Sequence, residues 1–305
     1  MITVISGGTG SAKLIRGLDA VVDSEDLTII TNVGDNIWLY GLYICPDIDT
    51  ILYTLNGSLD EKRGWGLRDD TFDFLRRYGE LGEDNWFKVG DNDLATHVFR
   101  TKLLGEGQTL SRITSKLARR LGIRQRIIPA TDQSLQTIIL TAKGEMNLQE
   151  YWVRDQGEPI VKGVHYRGIE HVEPCEGVSS SILNSERIIV TSGNPISSIG
   201  PTISIPQIAE ALKQTDATKV AVSPIVGNSP VSGPAGRMMR ARGLDVSPVG
   251  IARFYSSFLD TLIIDKTDES YSDAIKDLGM KAHLADIIMH TREDEIELAK
   301  LLLSV

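Results

Sequence analysis

Glycine, hydroxyl and carboxylate side chains gather at a few points of this 305-residue chain, and their types and spacing suit phosphate chemistry. Gly7-Gly8-Thr9-Gly10-Ser11 lies between the apolar run ITVIS and an amphipathic segment that begins near Lys13. Glycines there let the backbone approach a phosphate, and free N–H groups at a helix start favour anions. Gly193-Asn194-Pro195, with Ser197, Ser198 and Gly200, follows the apolar run ERIIVTS, and Ser223-Pro224-Ile225-Val226-Gly227 follows TKVAV. One glycine turn after a strand is commonly structural. Three at equivalent strand ends point to a diphosphate or nucleotide pocket. The spacing excludes two standard versions of it. Lys13 stands where a dinucleotide fingerprint needs its third glycine, and the second strand ends in Thr31-Asn32 rather than an acid. Nor does GGTGSAK have the four residues between glycines that a P-loop requires.

Carboxylates stand close to the same rim. Asp35 follows the second apolar strand in TNVGDN, and Asp47 and Asp49 open the segment PDIDTILYTL. An acid after a strand and another at a helix start can share one Mg²⁺, which takes one or two carboxylates plus substrate phosphates. Asp35 and Asp49 are the metal or base candidates, whereas Asp47 reads as a structural helix cap. Trp86-Phe87-Lys88-Val89-Gly90-Asp91-Asn92-Asp93 brings together aromatics, a cation and acids; Gly90-Asp91 also reads as a turn and Asp93 as a helix cap. His97 and Arg100, three apart, share a helix face that could address an anion. Cys45 and Cys175 have no metal-ligand or disulfide-framework spacing, and the five scattered histidines form no zinc pattern or hydrolytic triad.

The elements that must hold these residues follow from periodicity. ITVIS, the glycine loop, the helix from Lys13 and LTIITNV form a βαβ unit, which requires a parallel sheet. Helical spacing then marks DTILYTL, DDTFDFLRRYG, ATHVFRTKLL and LSRITSKLARRLG. Short strands are expected in RIIPAT, LQTIILTA, QEYWVRD and PIVKGVHYRG, and further sheet strands in ERIIVTSG, TKVAVSPIVG, DTLIIDK and AHLADIIMH. Helices are expected at about 206–214, 234–242 and 248–257, and in REDEIELAKLLL. The expected architecture is α/β: a doubly wound, mostly parallel Rossmann-like sheet with an inserted helical lobe. Residues 1–59 and 127–305 are expected to form the nucleotide-binding core, and 60–126 an aromatic-rich helical lobe.

Composition narrows the function classes. The 32 Lys and Arg against 41 Asp and Glu give a net charge of −9, which argues against nucleic acid or an anionic membrane as partner. No apolar stretch is long enough to span a bilayer, MITVISGG lacks a basic leader region, and two cysteines fit a reducing cytoplasm. The charge is uneven: residues 60–126 hold 14 basic and 11 acidic residues, and 11 of the 18 aromatics fall between Trp38 and Phe99. A satellite lobe with its own aromatic core accounts for that clustering without any ligand.

The blocks GGTGSAKL, TNVGDN, PDIDTILYTL, RGWGLRDDTF, WFKVGDND, THVFRT, SGNPISSIGPT and SPIVGNSPVSGPAGRMM, in that order, resemble those of the 2-phospho-L-lactate transferases. The resemblance implies transfer of 2-phospho-L-lactate from lactyl-2-diphospho-5'-guanosine to the ribityl hydroxyl of FO, the deazaflavin 7,8-didemethyl-8-hydroxy-5-deazariboflavin. The products would be coenzyme F-420-0 and GMP, with Mg²⁺ required and a homodimer favoured; some relatives use enolpyruvyl or glyceryl donors. It places Mg²⁺ and hydroxyl activation on Asp35 and Asp49. FO would meet Asp49, Trp86, Lys88 and Asp91, and the nucleotide Gly8, Thr9, Gly10, Asn194, Ser198, Ser223, Pro224 and Gly227. Ser11 and Asn36 depart from a glycine and an aspartate frequent in the family, leaving more weight on Asp49. Asn92 stands where many relatives carry Arg. The competing class is a non-catalytic nucleotide-sugar-binding regulator of the gluconeogenesis-factor group, which lacks the GWGL and WF-x-x-GD-x-D blocks. A nicotinamide oxidoreductase would have to bind its cofactor despite the broken fingerprint.

Overall fold

A computed structural model describes residues 1–305. Its strands are β1 (Ile2–Ser6), β2 (Leu27–Thr31), β3 (Ile37–Leu39), β4 (Leu42–Ile44), β5 (Arg126–Pro129), β6 (Gln136–Thr141) and β7 (Gly144–Asn147). They continue with β8 (Gly163–Arg167), β9 (Arg187–Val190), β10 (Thr218–Val222), β11 (Ile225–Val226), β12 (Ser229–Pro230), β13 (Thr261–Asp265) and β14 (Lys281–Ala285). The helices are α1 (Ser11–Asp19), α2 (Pro46–Leu55), α3 (Asp73–Glu80), α4 (Asp93–Gly105), α5 (Leu110–Arg120) and α6 (Val178–Leu183). After them come α7 (Gly200–Ile203), α8 (Pro206–Gln214), α9 (Ala235–Ala241), α10 (Pro248–Tyr255), α11 (Ser272–Lys276) and α12 (Arg292–Ser304).

Seven strands form one parallel sheet in the order β14-β13-β10-β9-β1-β2-β5. The fold is α/β and Rossmann-like, as the alternation of apolar runs and helical spacing implies. Runs such as LTIIT and TLIID are buried at every residue, as expected of strands covered by helices on both faces. Helix α1 packs against α2 and α12, and Gly17 lets it lie on the Glu295 carbonyl, where a Cβ would come within 2.1 Å. The chain winds from β1 outward through β2 to β5, then returns to the other side of β1 with β9. Strand order therefore reverses between β1 and β9, and the crevice at the carboxyl ends there is where open α/β sheets bind ligands.

Between β2 and β5 the chain leaves the sheet through the β3–β4 hairpin and helices α2 to α5. Leu103, Leu110, Ile113 and Leu117 from α4 and α5 join the core under the sheet. Ile37, Ile44 and Val89, flanked by Trp86 and Phe87, form a small separate cluster, and Tyr40, Phe74 and Tyr78 stack beside it with ring centroids 5.2–6.1 Å apart. Strands β7-β6-β8 make a separate antiparallel sheet. The segment QEYWVRD, expected as a strand, is instead a π-helical turn over Glu150–Arg154. Asn147 and Glu150 fix its start by reciprocal side-chain-to-backbone bonds of 2.9 and 3.1 Å, a local cap that outweighs the β-propensity of Tyr, Trp and Val. No helix is long and apolar enough to cross a membrane.

Candidate active site at the strand carboxyl ends

The loops after β1 and β9 meet backbone to backbone. A Cβ on Gly7 would lie 2.2 Å from the Ser198 carbonyl oxygen, and one on Gly193 2.4 Å from the Gly7 carbonyl oxygen. Gly8 also has φ +73°, a conformation that favours glycine. Ser11 fastens the loop: its hydroxyl donates to the Gly7 carbonyl at 2.6 Å and lies 2.6 Å from the Thr191 hydroxyl at the end of β9. On the β9 side the Asn194 side chain accepts from the Ile196 and Ser197 N–H groups, capping the next helical turn. Gly7→Ala is expected to cost about 1–3 kcal/mol of folding stability through this overpacking. Gly10→Ala, whose Cβ would stand 3.2 Å from the Ser192 carbonyl, should cost less; thermal denaturation of both variants checks the order.

These loops floor a cavity of about 770 Å³. Gly8, Thr9, Gly10, Ser192, Asn194, Ser198, Ser223 and Pro224 line one part of it, joined by Ile287 to His290 after β14. Asp35, Asp47 and Asp49 line the wall, and Trp65, Phe87, Lys88, Leu148, Trp152 and Val153 supply apolar and aromatic surface. The structure thus brings most of the sequence-predicted residues around one space. Three lie outside its lining. Trp86 packs edge-on against Phe87 and beneath Arg154. Asp91 accepts from the Thr71 hydroxyl and the Asp73 and Phe74 N–H groups, capping α3, and these bonds hold its pKa below the usual value. Gly227 donates its N–H to the Asp268 carboxylate at 2.8 and 3.0 Å. Direct contact of Trp86 or Asp91 with FO, and of Gly227 with a nucleotide, therefore has no geometric support.

The carboxylates pair differently from the sequence expectation. The acid facing Asp35 is Asp47, not Asp49. Burial, and then the Asp47 charge, push the Asp35 carboxyl well above its ordinary pKa; burial pushes Asp47 up to about 6. Asn32 holds Asp47 through a 2.8 Å bond, with the Gly8 N–H also directed at it, so the pair borders the glycine loop. Asp35 Oδ1 is buried without a partner. Asp49 is instead gripped by the fully buried Arg100, through Nη2 on Oδ1 and Nη1 on Oδ2 at 3.1 Å. His97 joins them, with Nδ1 3.6 Å from Asp49 Oδ2 and Nε2 3.3 Å from Asp93 Oδ2, while Tyr53 donates to Asp93 Oδ1. Arg100 therefore serves Asp49 rather than an incoming anion. Trp65, Trp152 and Asp47 also line the cavity, although the sequence pattern does not single them out as ligand contacts. The RGWG block and the two acids of PDID were visible in the sequence, but no local pattern distinguishes a lining side chain from a cap.

The cavity can hold a phosphate-bearing ligand against helix starts and backbone N–H groups, and a flat ring against Trp65, Phe87 and Trp152. The family model described as 2-phospho-L-lactate transferase CofD matches residues 2–300. The 2-phospho-L-lactate transferase of Methanosarcina mazei is 41% identical over 298 residues, covering 98% of each chain. That of Methanocaldococcus jannaschii is 40% identical over 304 residues, covering 98% of this chain and 96% of its own. A solved structure of a UPF0052-family protein from Bacillus halodurans superposes with a TM-score of 0.69 over 99% of this chain and 98% of its own. At 15% identity that likeness concerns the fold alone. Matched along almost its entire length, the chain belongs to the 2-phospho-L-lactate transferase family.

Proposed function

We propose that this transferase moves 2-phospho-L-lactate from lactyl-2-diphospho-5'-guanosine to the terminal ribityl hydroxyl of FO, giving F-420-0 and GMP. The reading rests on one juxtaposition: the glycine loops after β1 and β9, the Asp35–Asp47 pair and the aromatic wall of Trp65, Phe87 and Trp152 share a single cavity. The diphosphate would lie on the loops beside the carboxylates, with the deazaflavin against the aromatic wall and Lys88. In the reaction the ribityl oxygen bonds to the lactyl-bearing phosphorus. The bond from that phosphorus to the bridging oxygen breaks, and GMP leaves with that oxygen.

The residues fit a magnesium ion shared with the substrate. No group of three His, Cys, Asp or Glu side chains is arranged to hold a metal, so the protein offers no closed cage. Two buried carboxylates, one with an unpartnered oxygen, match the one or two that Mg²⁺ takes when substrate phosphates complete its shell. Asp35 and Asp47 would hold it, with Asp47 in the place the sequence reading gave to Asp49; the ion would neutralise charge on the diphosphate. Asp49, fixed by Arg100, orients the FO hydroxyl and receives its proton at Oδ2. A weak base suffices, because phosphoryl transfer proceeds mostly by positioning and charge stabilisation.

Incubating the protein with FO, the lactyl donor and Mg²⁺ should convert FO to a more anionic deazaflavin, resolved by anion exchange and identified by mass. Parallel incubations with the enolpyruvyl and glyceryl donors would rank the three acids. Tight FO binding without any product would overturn the transfer reading in favour of a ligand-sensing regulator.

A further inference from the structure

We propose that Arg63 is a catalytic residue that leaves a partly exposed partner, Asp60, to neutralise the donor's diphosphate, an inference that rests on the transfer reading above. Arg63 lines the cavity on a loop that closes on itself: the Gly64 N–H donates to the Asp60 carbonyl at 2.8 Å and the Asp60 N–H to the Gly66 carbonyl at 3.0 Å. The loop lies over the first glycine loop, since a Cβ on Gly64 would be 3.9 Å from Thr9 Cβ. Gly64 and Gly66 have φ of +77° and +69°.

The other long cations lining the cavity reach other parts of it. Lys13 donates to the Met289 carbonyl at 2.6 Å, and Lys88 stands beside Phe87 on the aromatic wall. Arg63 is the guanidinium next to the phosphate-binding loop. Its present contacts are ones it can exchange. Nε lies 2.7 Å from Asp60 Oδ2, with the two side chains 26% and 18% exposed, and such a partly exposed pair is weak. Nη2 donates to the Leu67 carbonyl at 2.7 Å. The rings of Trp65 and Phe72, each 5.2 Å from Cζ, hold the planar guanidinium by cation–π contact that does not depend on Asp60. As the phosphorus–oxygen bond to GMP breaks, negative charge builds on the departing phosphate. A planar guanidinium can meet two of its oxygens at once.

Steady-state kinetics of Arg63→Gln, Arg63→Lys and Asp60→Asn test the assignment, with GDP binding by calorimetry as a second readout. Arg63→Gln should lower kcat about 10²–10³-fold, the usual loss on removing one preorganised charge-stabilising donor, with FO affinity unchanged. Arg63→Lys should recover part of that loss. Asp60→Asn separates catalysis from loop structure, because the substituted carboxamide oxygen can still accept from the Lys62 and Arg63 N–H groups that Asp60 Oδ1 now serves at 3.0 and 3.1 Å. It should keep kcat within about threefold of the parent, as loss of a weak surface pair predicts. An Asp60→Asn loss as deep as that of Arg63→Gln would mean that Arg63 only braces the loop and would overturn the proposal. So would full activity in Arg63→Gln. If the parent protein makes no product, the transfer reading fails and the catalytic role of Arg63 with it; its contact with a diphosphate then stands or falls on whether Arg63→Gln weakens GDP binding by about tenfold, roughly the worth of one charge-assisted hydrogen bond.

Discussion

Arg100→Met should cost about 3–5 kcal/mol of folding stability, the usual penalty for leaving one member of a buried ion pair alone. Arg100 is fully buried, and Asp49 is 4% exposed. Burial opposes the guanidinium charge, but the Asp49 carboxylate, together with Cys45 and Tyr53, more than offsets it and raises the Arg100 pKa above its ordinary value. Remove the guanidinium and the carboxylate keeps only a neighbouring imidazole. Adding Asp49→Asn to Arg100→Met should therefore restore a substantial part of the loss, since the double variant buries neutral groups on both sides. Urea denaturation of the two single variants and the double variant measures this directly. An Arg100→Met protein within about 1 kcal/mol of the parent, on the scale of an exposed pair, would show that the contact carries little.

The largest effect on turnover should come from Asp47→Asn, which is expected to lower kcat by about 10³-fold or more if the carboxylate holds charge-stabilising Mg²⁺. Asp35→Asn should behave alike. Titration adds an independent readout. Burial pushes Asp47 up to about 6, and burial with the Asp47 charge raises Asp35 well above its ordinary value, so a Mg²⁺ ion held as proposed would displace protons from the pair as the pH falls toward 6. Mg²⁺ binding should release protons, measured as a buffer-dependent heat, and weaken as pH falls below about 6. The stability slope has the opposite sign to that of a salt-bridged carboxylate. The folded chain holds the Asp47 proton more tightly than the unfolded chain, so this group makes the ion-free protein less stable as pH rises from about 4 to 6. Asp47→Asn should abolish both its share of that slope and its share of the proton release.

The sheet was legible in the sequence because its strands are covered on both faces. ITVIS, LTIIT and TLIID carry the near-continuous apolar character that burial imposes, and the glycine turns after β1 and β9 come to line one cavity. Capping acids are less legible than strands. Asp91 looks like a ligand in GDND, yet it ends up closing α3 through contacts with Thr71, Asp73 and Phe74 that no local pattern reveals. Asp47 and Asp49 are two residues apart on one helix and so point in different directions. One turns to Asn32 and Asp35, the other to Arg100 of α4, a partner 51 residues away that no local pattern reveals. Trp152 was hidden for a different reason: its segment has strand propensity, but the Asn147–Glu150 cap coils it.

The placement of β1 also sets the order in which the molecule can become competent. Ile2 pairs on one side with Leu27 and on the other with Arg187. A chain emerging from the ribosome can therefore close the first parallel pair early, while the glycine loop waits for a strand more than half the sequence away. Until β9 docks, Gly7 has no Ser198 carbonyl to lie against and the floor of the cavity does not exist. Such distant pairings close slowly. Folding intermediates should thus show native-like helices well before they recognise a nucleotide, and a ligand that bridges the two loops would act as a late-stage folding template.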